Sequence, residues 1–65
     1  MSELPNKELL RPDEVATFFE VSKSLVYQWV SLGELAAEKY GGVIRIPREG
    51  VLLFRENHKM KPLEE

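Results

Sequence analysis

Nothing in this chain can staple it together. It has 65 residues, no cysteine and one histidine, His58, so neither a disulfide framework nor a His/Cys metal cluster is available. A fold of this size buries only about 60% of the surface its unfolded chain exposes and is marginally stable. One apolar core must therefore carry a single domain. The 43% of hydrophobic residues suffice for that, and with 31% charged residues they indicate a soluble globular chain rather than a disordered one. No apolar run approaches the roughly 20 residues of a membrane span. The opening Met1-Ser2-Glu3-Leu4-Pro5 has neither a basic region nor an apolar stretch. No secretion signal, no membrane partner and a cytoplasmic location are expected.

Residues 1–8 read as a flexible lead-in, 9–57 as the domain and 58–65 as a flexible tail. A first helix is expected from Pro12, because proline lacks only an N–H that the first helical position would leave unpaired. Asp13 and Glu14 oppose the helix dipole in its first turn. Val15, Ala16, Phe18 and Phe19 form an apolar stripe at helical spacing, ending near Glu20. Ser22 is a good N-cap for a second helix running to about Leu32. Only Glu20, Val21 and Ser22 separate the two helices, a join tight enough for a helix-turn-helix corner. In the second helix Val26, Trp29 and Val30, with Leu25, make an apolar face. Lys23, Ser24, Tyr27, Gln28 and Ser31 fall on the other. Gly33 reads as the left-handed residue that ends the helix.

The period then changes. Gly41-Gly42 joins Ala37-Glu38-Lys39-Tyr40 to Val43-Ile44-Arg45-Ile46, which signals a two-residue β-hairpin. In that register Tyr40 opposes Val43, Lys39 opposes Ile44, Glu38 opposes Arg45 and Ala37 opposes Ile46. Ala37, Ile44 and Ile46 share the buried face; Glu38, Tyr40, Val43 and Arg45 share the outer one. Pro47 ends the second strand and can open a third helix that continues to about Asn57 despite Gly50. The fold class is mainly α with a small hairpin: a winged helix-turn-helix of three short helices and a two-stranded wing.

The net charge of −2 runs against nucleic-acid binding, but its distribution does not. Residues 1–20 carry −3, residues 49–65 carry −1, and the stretch 21–48, with Lys23, Lys39, Arg45 and Arg48 against Glu34 and Glu38, carries +2.

Leu10-Arg11-Pro12-Asp13-Glu14-Val15-Ala16, then Val21 through Val30, Gly33-Glu34-Leu35, Gly41-Gly42 and Arg45-Ile46-Pro47-Arg48-Glu49 together resemble the excisionase/MerR-like helix-turn-helix family. The resemblance covers roughly residues 9–56. It implies sequence-selective binding of double-stranded DNA by a small bacterial or phage regulator, either an excision factor (a recombination directionality factor) or a transcription regulator. Copies side by side, an integrase or recombinase, or RNA polymerase are the implied protein partners. The chain departs from the family at Gln28 and Val43, where members often carry Arg or Lys. It departs also at Glu20, often Gly, and at Arg11, often Thr or Ser.

On this reading the second helix enters the major groove. Gln28 suits a bidentate pair with adenine, Lys23 a guanine or phosphate, and Ser24, Tyr27 and the helix N-terminus at Ser22 suit phosphates. An ordinary solvated helix face is the plain alternative. Lys39 and Arg45 would place cations from the wing; Arg45 could equally pair with Glu38 across the strands. Arg48 suits a phosphate or plain solvent. Trp29, Phe18, Phe19 and Phe54 read as core. No catalytic residue, metal site or cofactor is expected: nothing positions a triad around His58, and Gly41-Gly42 lacks the spacing of a phosphate loop. The rival is a protein-interaction module on the same fold with weak or no DNA binding.

Overall fold

The structure is a computed structural model and describes residues 4–58. The element order is β1 (Leu9–Leu10), α1 (Pro12–Phe19), α2 (Lys23–Ser31), β2 (Glu38–Tyr40), β3 (Val43–Pro47) and α3 (Arg48–His58). The three strands form an antiparallel sheet in the order β1-β3-β2.

α1 begins at Pro12, as its missing N–H predicts. The carboxylate of Glu14 turns back to accept from the Arg11 amide at 2.9 Å, satisfying a donor that the first turn leaves open. The helix stops because Glu20 adopts a left-handed conformation, φ 59°. The Glu20 amide then donates to Thr17 O (3.1 Å) and the Val21 amide to Ala16 O (2.9 Å), the paired bonds of a Schellman ending. Val21 tucks against the core. The Ser22 hydroxyl oxygen caps α2 by accepting from the Leu25 amide at 3.2 Å. α2 ends as α1 does: Gly33, φ 78°, donates to Val30 O and Glu34 to Trp29 O.

The hairpin has the expected register, Glu38 to Arg45, Lys39 to Ile44 and Tyr40 to Val43. Gly41 and Gly42 both hold positive φ, which a two-residue turn of this hand requires. The strand begins at Glu38, not Ala37. Leu35 has turned into the core just before it, drawing the chain off the β3 edge, and Ala37 packs half-buried without a ladder partner.

No sequence signal marks a strand before α1. Leu9 and Leu10 nevertheless pair with Pro47 and Ile46, so β3 is flanked on both sides and the wing grows from a three-stranded sheet. Contacts reach further back. The Arg48 amide donates to Glu8 O at 2.9 Å, and its Nε donates to Pro5 O at 3.1 Å. α3 runs one residue past Asn57: His58 stacks on Phe54 with ring centroids 4.1 Å apart. Residues 59–65 of the expected tail lie outside the described residues.

Leu10, Val15, Ala16, Val26, Leu35, Ile46, Val51 and Phe54 form the core. Trp29, Phe18 and Phe19 are half-buried instead of fully enclosed. They belong to an aromatic cluster at one end, in which Phe19 meets Trp29 edge-on at 5.6 Å and Trp29 meets Phe54 at 4.6 Å. Among the described residues no polar side chain is buried, so the chain's polar chemistry lies on its surface.

Candidate nucleic-acid interface

The corner fixes what α2 can offer. Val26 is fully buried, and Leu25, Trp29 and Val30 are half-buried. The opposite face, Ser22, Lys23, Ser24, Tyr27, Gln28 and Ser31, is exposed, with Tyr27 showing 43% of its surface. The structure thus brings the five residues expected on α2 and its cap onto one solvent-facing side. The Ser22 oxygen accepts the capping bond, which leaves its hydroxyl proton available to donate. A polar helix face with hydroxyls, one amide and one cation, held rigid by the buried side, can hydrogen-bond phosphates and base edges.

The wing supplies the second set. Lys39 is exposed. Arg45 is half-buried, and its Nη1 donates to Ile44 O at 2.8 Å. It does not pair with Glu38, although the two residues face each other in the register. Glu38 instead accepts from the Tyr40 hydroxyl. Alternate residues of one strand share a face, and the phenol reaches along it. That bond to a carboxylate raises the Tyr40 pKa above its ordinary value. Arg48 stands apart from the wing: its Nε is tied to the Pro5 carbonyl, so its position is set by the segment before β1.

Charge is sorted in space. Lys7 Nζ lies 2.6 Å from Glu14, Arg11 Nε 3.4 Å from Asp13 and Arg11 Nη2 3.8 Å from Glu14. The acidic first helix is therefore matched by its own neighbours. The Lys7 hydrogen bond, followed by the Arg11 amide, lowers the Glu14 pKa. Among the described residues, Lys23, Lys39 and Arg45 meet no carboxylate, and these are the cations of α2 and the wing.

Tyr40 and Val43 were not singled out from the sequence as site residues. They flank the turn, oppose each other, and show 51% and 45% of their surface. Their outward alternation beside Gly41-Gly42 was the available signal.

A family model for a helix-turn-helix domain matches residues 9–59. No curated protein and no solved structure matches the chain. The matched span takes in both helices of the corner, the whole sheet and α3. The chain belongs to the helix-turn-helix domain family, a family of DNA-binding proteins.

Proposed function

We propose that the protein binds double-stranded DNA sequence-selectively, as a small regulator of excision or transcription. The segment 22–32 lies in the major groove, and the hairpin 37–46 lies beside it as a wing. Gln28 reads a base, with Lys23 at a guanine or phosphate. Ser22, Ser24 and Tyr27 hold phosphates, and Lys39 and Arg45 add cations. Arg48 reaches a phosphate only through the terminal nitrogens that its Pro5 contact leaves over. The observation that carries this reading is the exposed polar face of α2, set by a rigid two-helix corner and backed by buried Val26.

The three cations of α2 and the wing, Lys23, Lys39 and Arg45, can neutralise few phosphates, so one copy binds modestly. Function then calls for several copies side by side, or for a recombinase or polymerase as partner. Titration against randomised duplexes at rising salt tests the reading. Log affinity should fall with log salt at a slope near −3, about −0.9 for each phosphate neutralised. Gln28→Ala should change the preferred sequence, whereas Lys39→Ala should weaken all sequences alike. A folded protein that binds no duplex even at low salt would overturn this. It would favour the protein-interaction module, for which the net charge of −2 is the supporting observation.

A further inference from the structure

Among the described residues, Glu20 alone holds a left-handed backbone without being glycine, at φ 59°. A residue kept in such a region against its own preference points to a role outside the fold. The Glu20 side chain does nothing to offset that strain. It is exposed. Among the described residues its carboxylate makes no ion pair and accepts no hydrogen bond; the acids that meet cations are Asp13 and Glu14.

What remains is the place of its charge. Glu20 precedes the Ser22 cap by two residues, so their Cα atoms lie within about 7 Å of each other. At that cap the Ser22 hydroxyl and carbonyl oxygens serve the Leu25 and Val26 amides. The Lys23 and Ser24 amides stay open, and both side chains are exposed. α2 has no acidic residue in its own first turn. This is the end of the helix that takes phosphate in the reading above, and the carboxylate nearest to it along the chain is that of Glu20.

We infer that Glu20 is a charge restraint on DNA binding: its carboxylate opposes the phosphates that approach the N-terminal end of α2 and limits how tightly one copy holds any duplex. This rests on the DNA-binding reading above. Glu20 is then the repulsive counterpart of Lys23. Because the repulsion is with phosphate, it is the same for every sequence and fades as salt screens it. The modest affinity of a single copy acquires a local cause besides its small number of cations.

The test measures Kd by fluorescence anisotropy at several salt concentrations, for the duplex that the wild-type protein enriches most from a randomised pool and for a duplex of random sequence. Glu20→Gln removes the charge but keeps the Cβ and the chain length, so the strain stays and the thermal melt should not move. It should tighten both duplexes by about threefold at low salt, with the gain vanishing at high salt. Glu20→Gly should gain by the same factor and also melt higher, which separates the charge from the strain. Glu49→Gln makes the same charge change at an exposed residue of α3, in the groove that Glu38 and Tyr40 line, and should tighten binding far less. The inference is overturned if Glu20→Gln binds as the wild type does at low salt, or if Glu49→Gln gains as much, since net charge alone then explains the effect. A gain confined to one of the two duplexes also overturns it, because phosphate repulsion does not read sequence. If the wild-type protein binds no duplex even at low salt, the DNA-binding reading fails first and takes this one with it, a result distinct from any variant effect.

Discussion

Glu20 and Gly33 occupy equivalent stations: each is the left-handed residue that closes a helix of the corner, at φ 59° and 78°. The hydrogen bonds around them match, Glu20 to Thr17 O and Val21 to Ala16 O in one, Gly33 to Val30 O and Glu34 to Trp29 O in the other. One station is filled by the residue best suited to it and the other by a residue whose Cβ crowds the following carbonyl.

Glu20→Gly should therefore stabilise the domain by about 0.5–1 kcal/mol, the left-handed strain less the added freedom of glycine in the unfolded chain. For a domain of this size that raises Tm by several degrees, about 4–8 °C per kcal/mol. Gly33→Ala should destabilise it by a similar amount. Thermal melts followed by circular dichroism measure both. A Glu20→Gly variant that melts no higher than the wild type contradicts the assignment.

Stability should fall in acid, in part through Glu14. Its folded pKa lies below the ordinary glutamate value of about 4.5, chiefly because Lys7 donates to it. A depressed pKa stabilises the folded state above the ordinary value, and that contribution is lost as pH falls through the folded value. The pair is on the surface, so the amount is under about 1 kcal/mol. Urea titrations between neutral pH and strongly acidic pH should show a shallower acid decline for Lys7→Ala than for the wild type. Parallel curves would mean that the ion pair contributes nothing.

Phe54, not Trp29, should be the costliest aromatic to remove. Phe54 is buried and touches Phe19, Trp29 and His58, whereas Trp29 is half-buried. Phe54→Ala should cost about 3–5 kcal/mol, enough to leave so small a domain largely unfolded. Trp29→Ala should cost less. Urea midpoints of the two variants, measured together, give the order directly.

Arg48→Ala should lower stability by about 0.5–1.5 kcal/mol through the lost bond to the Pro5 carbonyl. Its salt slope for DNA should change less than that of Lys39→Ala, which has no internal partner among the described residues. The two variants, melted and titrated side by side, separate a brace from a phosphate contact.

Much of this architecture was legible along the chain, and the illegible parts have a common cause. Pro12, Ser22 and Gly33 announce helix ends by local chemistry, and Gly41-Gly42 sets a register that all three observed pairs of the hairpin follow. Leu9-Leu10 is only two residues long and has no alternation to detect. Its strand character comes entirely from Ile46 and Pro47, far away in sequence. Leu10, in that two-residue strand, and Leu35, between α2 and β2, are core residues at places where no period marks the inward side. At the candidate interface, helical spacing sorted Ser22, Lys23, Ser24, Tyr27 and Gln28 onto the open face. It could not show that Glu38 bonds along its own strand to Tyr40 and leaves Arg45 aside. That outcome depends on side-chain reach, which a register does not specify.

The pairing of Leu9–Leu10 with Ile46–Pro47 also governs when folding can occur during synthesis. The partner of the first strand emerges from the ribosome only after both corner helices and the first strand of the hairpin have been made. Until then Leu10 has no sheet to cover it, and closing so long a loop is itself an entropic cost. The nascent chain must reach Pro47 before it can hold its shape. A release of the polypeptide just short of β3 would yield a fragment with two well-marked helices and no domain.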